Sequence, residues 1–163
     1  MGKDMSKATR TVPCSVVLLT VGTKEKRDAM TATAMFVAES LPLLTISLAK
    51  SSTCNETIEK TGECGINVAS ADQVNLARRL GAAHGRDVDK FNDFSIPVEE
   101  PSMIKAPLIK GSYANLECKV ITSHQAGNYM VYIVEVVAFK VNEDLVPMAW
   151  HGNSYYALEK KIS

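Results

Sequence analysis

The chain has 163 residues, 46% apolar and 22% charged, about one domain's length with enough apolar material for a single core. Its 18 basic and 18 acidic side chains cancel, which argues against nucleic acid or an anionic membrane surface as a partner. The longest early apolar run, Val16-Val17-Leu18-Leu19, is far too short for a membrane span or secretory signal, so the expected location is cytoplasmic.

Residues 1–11 are polar and unpatterned and read as a flexible tail ahead of one domain over 12–163. Val12 to Val21 is rich in β-branched residues and predicts a buried strand, closed by a polar turn over 22–27. Ala29 to Ala38 returns as a second strand. Leu43 to Leu48, behind Pro42, predicts a third. Thr53 and Glu56 have capping-box spacing for a short helix that ends at Gly62. Asn55-Glu56-Thr57 also fits a glycosylation sequon, a short and common pattern.

Cys64 to Ala69 predicts another buried strand, and Ser70 with Gln73 a second capping box, opening a helix with Val74, Ala77 and Leu80 on one face. Residues 86–107 are charged, then proline-bearing, and read as a long loop packed on the barrel. Tyr113 to Ile121 alternates as a half-buried strand, and a turn at Gly127-Asn128 leads into Tyr129 to Val141. Helices do not alternate regularly with strands, so the expected class is all-β, a closed antiparallel barrel with two or three short inserted helices. Cys14, Cys54, Cys64 and Cys118 form no CxxC pair, so reduced, mostly buried thiols are expected and structural zinc is not.

Three segments could carry chemistry. Leu48-Ala49-Lys50-Ser51-Ser52-Thr53 is a strand end running into a helix start, where free N–H groups, hydroxyls and Lys50 suit a phosphate. An ordinary capped turn would use the same residues. His84-Gly85-Arg86-Asp87-Val88-Asp89-Lys90-Phe91 gathers a histidine, cations and carboxylates beside a glycine, as many solvated loops also do. Asp28-Ala29-Met30-Thr31-Ala32-Thr33 is a strand poor in bulk, open to a flat ligand.

In order and spacing these segments resemble the FMN-binding segments of the flavin reductase-like family, flavoredoxin and archaeal ferric reductase relatives included. Further signposts are Gly65-Ile66-Asn67-Val68, Ala106-Pro107-Leu108, Ala114-Asn115-Leu116-Glu117-Cys118 and Glu135-Val136-Val137. The resemblance implies a Greek-key split β-barrel that works as a homodimer with flavin at the interface, FMN ahead of FAD. Met30 to Thr33 would then line the isoalloxazine through backbone groups, and Lys50, Ser51, Ser52 and Thr53 would hold the phosphate and ribityl chain. Asp28, Ala29, Leu48 and Ala49 would be cofactor contacts beside them, and Gly85, Arg86, Lys90 and Phe91 would close over the cofactor. The implied activity is an NAD(P)H-dependent flavin reductase serving an acceptor such as a redox protein or monooxygenase. No catalytic acid or base is required, because the cofactor carries the reaction. The alternatives are a flavoredoxin-like electron carrier without its own nicotinamide site, and an empty barrel module.

Two positions depart from the family pattern: Asp28 stands where many relatives carry Asn, and Tyr129 where reductases often carry a histidine that meets nicotinamide. Tyr129, His84 and His151 are the candidate nicotinamide or acceptor contacts. Trp150, Tyr155 and Tyr156 are expected to pack across the dimer or, alternatively, to stack on flavin. Cys54, at the first turn of the phosphate-side helix, is either a dipole-favoured thiolate or a packed thiol.

Overall fold

A computed structural model describes residues 4–84, 86 and 88–163. After a single helical turn, α1 (Ser6–Thr9), come β1 (Cys14–Ser15), β2 (Val17–Gly22), β3 (Arg27–Ala32), β4 (Ala34–Phe36) and β5 (Leu43–Ala49). Next are α2 (Thr53–Thr61), β6 (Glu63–Val68), a 3-10 turn at Ala71–Gln73, α3 (Val74–Ala82) and α4 (Lys90–Asp93). The chain continues through β7 (Val98–Glu99), β8 (Leu108–Ile109), β9 (Ala114–Ala126), β10 (Tyr129–Val141), β11 (Met148–His151) and β12 (Ser154–Ala157).

Seven strands form one antiparallel sheet in the order β3-β2-β6-β9-β10-β5-β4. Its two edge strands are consecutive in the chain and separated only by Thr33. Adjacent Cα atoms lie about 3.8 Å apart, so the sheet must curl until its edges nearly meet there. This corrects the single strand expected over 29–38: one segment serves both edges by breaking at Thr33. Closure in this manner yields the expected barrel, split on one side. A smaller sheet, β1-β11-β12, packs beside it.

Every residue of β2 is buried. Val17, Leu19 and Val21 face the barrel core with Ile46, Leu48, Ile66, Tyr132 and Val134, whereas Val16 and Leu18 face a second core with Leu80, Phe91, Ile109 and Met148. Because successive strand residues point to opposite faces, a strand covered on both sides reads as the continuous apolar run seen in the sequence. Gly65 on β6 sits where a Cβ would collide with Thr20 Oγ1 and press to 3.2 Å from Leu108 and 3.3 Å from the Pro107 carbonyl. Gly65→Ala is therefore expected to cost about 1–3 kcal/mol by overpacking, measured by urea denaturation.

On β9 the alternation holds, but two of its polar-face residues, Asn115 and Glu117, are buried while Lys119 stays exposed. Asn115 donates to Asn67 Oδ1 at 2.7 Å and to the Ile109 carbonyl at 2.9 Å. Glu117 accepts from the N–H groups of Ser102, Met103 and Ile104 and from the Ser102 hydroxyl. Burial alone would raise the Glu117 carboxyl, but these four donors outweigh it and hold it below the usual carboxylate range. The stabilisation is present above the unfolded value, about pH 4.3, and is lost as pH falls through the lower folded value. Glu117→Gln should cost about 1.5–3 kcal/mol at neutral pH, with wild-type and variant denaturation curves converging in acid.

The capping box expected at Ser70 and Gln73 is present and opens the 3-10 turn ahead of α3. The one expected at Thr53 and Glu56 is not. Ser52 is the N-cap of α2, accepting from the Asn55 N–H at 3.1 Å, and Gly62 closes the helix in the left-handed region at φ +69°. Asn55 of the sequon is buried, its side chain donating to Glu59 and accepting from the Tyr132 hydroxyl at 2.7 Å.

Candidate functional site

Thr53 leaves the cap to Ser52 because a buried carboxylate claims its hydroxyl. Asp28, on β3, accepts from Thr53 Oγ1, from the Ala29 N–H at 2.7 Å and from Cys54 Sγ at 3.5 Å. It also pairs with Lys90 Nζ at 2.9 Å, the two side chains being 12% and 3% exposed. Lys90 Nζ further donates to the Ala29 carbonyl at 2.6 Å. This network ties β3, the start of α2 and α4 together at one point. Burial, with Asp28 alongside, pushes the Cys54 thiol far up, so Cys54 is a packed thiol rather than a dipole-stabilised thiolate.

Above the network lies a cleft of about 390 Å³, lined at one end by Ser51, Ser52, Thr53 and Arg86 and along its floor by Met30, Thr31 and Gly81. Thr31 Oγ1 donates to the Ala77 carbonyl at 2.6 Å, seating α3 as one wall. The N–H groups of Thr53 and Cys54, first in α2, have no backbone acceptor among the described residues. Free helix-start donors, two hydroxyls and a guanidinium form an anion-accepting end. Arg86 reaches it from across the cleft and pairs with Glu56 of α2.

A second cleft, of about 410 Å³, shares Met30, Thr31 and Ala49 with the first and is otherwise lined by Ala32, Thr33, Ser47, Tyr129, Trp150 and Tyr155 among others. Trp150 and Tyr155 are cross-strand partners on β11 and β12, and Tyr129 opens β10 opposite Ala49. The two clefts adjoin along Met30, Thr31 and Ala49 as a two-part trough, with hydroxyls and Arg86 at the α2 end and aromatic side chains at the other.

Asp28, Met30, Thr31, Ala49, Ser51, Ser52, Thr53, His84, Arg86 and Lys90 line the first cleft, and Ala32, Thr33 and Tyr129 the second. Ala29 meets the site only through its carbonyl and N–H. Leu48 is fully buried in the barrel core, and Phe91 is buried beneath the Arg27 guanidinium, 4.4 Å from its ring centroid. Neither of these two lines a cleft. Lys50 points away from the anion-accepting end and donates to Gln125 at 3.0 Å, and His151 packs near the Tyr156 ring outside both clefts. Gly85 lies outside the described residues. Ser47 and Gly81 carry no sequence signal for the site, and Leu80, expected only on the apolar face of its helix, lines the first cleft as well. The aromatic character of Trp150 and Tyr155 was the one available signal for their place.

An antiparallel sheet curled into a split barrel, with a cofactor-sized trough between its edge strand and an inserted helix, defines the structural class. Residues 9–159 match the family model of the flavin reductase like domain, and the chain belongs to that family. It is 30% identical over 127 residues to the NADH-dependent FAD reductase of Streptomyces globisporus, covering 77% of this chain and 68% of that protein. It is 29% identical over 161 residues to an NADH-dependent flavin reductase of a Rhodococcus species, covering 95% and 85% respectively. The structure of flavoredoxin from Desulfovibrio vulgaris (Miyazaki F) superposes with a TM-score of 0.86 at 21% identity, over 100% of this chain and 96% of that one, and shows the same fold.

Proposed function

We propose that the chain is an NAD(P)H-dependent flavin oxidoreductase whose flavin occupies the two-part trough. The observation that carries this reading is the trough's polarity: an anion-accepting helix start at one end, and at the other a cleft lined by Met30–Thr33 and by Tyr129, Trp150 and Tyr155. The donor set fits a flavin phosphate, and the small side chains of Ala32 and Ala49 leave room for a planar ring. A bound flavin supplies hydride acceptance and onward electron transfer.

The residues of this chain would bind, orient and enclose it. Ser51, Ser52 and the N–H groups of Thr53 and Cys54 hold the phosphate, FMN being the smallest flavin that fills both clefts. Asp28 holds Thr53 and Lys90 in place, and because Lys90 neutralises it, its carboxylate does not face the cofactor as a free charge. Tyr129, 53% exposed at the rim, offers a ring face for a nicotinamide. Met35, Phe36 and Val37 are exposed on β4 and just after it, and Met35 lines a further cleft that shares Ser15, Thr33 and Ser47 with the second, which supports a second copy of the chain covering that side. A redox protein or monooxygenase component would then take electrons from the reduced flavin.

Purified protein reconstituted with FMN and mixed anaerobically with NADH or NADPH should bleach on a catalytic timescale. Flavin binding without bleaching would leave the electron carrier. Absence of flavin binding would overturn the whole reading.

A further inference from the structure

We propose that Asp28 keeps a bound flavin exchangeable: by cancelling the charge of Lys90 beside the anion-accepting end, it holds down the affinity of this site for the flavin phosphate. The inference rests on the flavin reading above and adds to it the residue that sets how tightly the phosphate is held.

The Asp28–Lys90 pair lies directly behind the helix start. Asp28 accepts from the Thr53 hydroxyl and, at 3.5 Å, from Cys54 Sγ. These are the first two residues of α2, whose N–H groups have no backbone acceptor among the described residues. One carboxylate thus grips, through their side chains, the two residues whose backbone donors are left for a ligand. Asp28, Thr53, Cys54 and Lys90 all line the first cleft.

A bare carboxylate so placed would repel a phosphate taken by those N–H groups. Lys90 removes the repulsion, and the cancellation works in both directions. Of the three donors on an ammonium, two go to Asp28 Oδ1 and the Ala29 carbonyl. A lysine without a carboxylate at this point would be a strong phosphate ligand, because charge attraction grows as water is excluded. With Asp28 against it, the field reaching the phosphate is that of a dipole, which falls off faster than that of a charge. The phosphate is left to hydroxyls, free N–H groups and Arg86, which itself pairs with Glu56. Desolvation offsets much of the attraction within a buried ion pair, so stability alone does not account for one set beside the cleft.

Riboflavin lacks the phosphate, so the ratio of FMN to riboflavin affinity, read by quenching of flavin fluorescence, separates the phosphate from the ring. Asp28→Asn keeps an acceptor for Thr53 and uncovers the Lys90 charge. It should raise that ratio about tenfold, or about 1.4 kcal/mol, with FMN release slowed to match. Asp28→Asn/Lys90→Met removes both charges at similar side-chain size and should keep the ratio within about threefold of wild type, which decides the matter if the single variant does not fold. An unchanged or lower ratio in Asp28→Asn would overturn the proposal, as would equal losses for both flavins, the mark of a purely structural role. A fall of about tenfold in the double variant would make Lys90 itself a phosphate ligand and overturn it too. Wild type that binds neither flavin would instead overturn the parent reading, and this one with it.

Discussion

Lys90→Met should destabilise the protein by about 3–5 kcal/mol, the usual cost of removing one partner from a buried ion pair. The Asp28 carboxylate would remain enclosed with Thr53, Cys54 and the Ala29 N–H but without a counter-charge. The Ala29 carbonyl would lose its Lys90 donor as well. Since α4 has four residues and is held through Lys90 and Phe91, the loss should include its docking against β3. Urea denaturation at neutral pH measures the effect as a lower midpoint at unchanged slope. Asp28→Asn combined with Lys90→Met should recover part of the loss, because the amide keeps an acceptor for Thr53 and carries no charge. A single-variant loss under about 1 kcal/mol would mean that water screens the pair, in conflict with its enclosure.

The second large effect is on binding. Ala49, last residue of β5, lines both halves of the trough and lies opposite Tyr129 in register. An indole there would fill the junction between the phosphate end and the ring slot. Ala49→Trp should weaken flavin binding at least about 100-fold, or about 2.7 kcal/mol, while the thermal midpoint stays within a few degrees because the new side chain enters a cleft rather than the core. Quenching of flavin fluorescence on titration with protein reads the affinity. Binding within threefold of wild type would place the flavin elsewhere.

These two sites differ in how they could be found. Asp28 and Lys90 were both legible as site residues, one beside a strand poor in bulk and the other in a charged loop, yet nothing in a separation of 62 positions announces that they touch. The contact forms because curling of the sheet brings β3 against α3 and α4. It also explains the misassigned cap: Thr53 has the right spacing for a capping box with Glu56, but a carboxylate fixed by long-range packing competes for its hydroxyl and wins, leaving Ser52 to cap. Lys50 looked like a phosphate ligand by proximity in sequence and instead bonds to Gln125 across the β9–β10 hairpin. Phe91 belonged to the right loop but fills a core.

Local patterning marked six strand segments in chain order and the all-β class, though not the short strands β7, β8, β11 and β12, because alternation, β-branched runs and turn residues act over a few neighbours. It also marked the helix start as suited to an anion, since free N–H groups follow from helix geometry alone. Tertiary structure decided what depends on closure. The break at Thr33 makes one segment serve as both sheet edges, Glu117 on β9 is covered by a loop that donates to it, and the β11–β12 hairpin brings Trp150 and Tyr155 to the trough. Each joins residues far apart in the chain, and the free energy that joins them comes from burial and charge pairing across the barrel, which no short window of sequence contains.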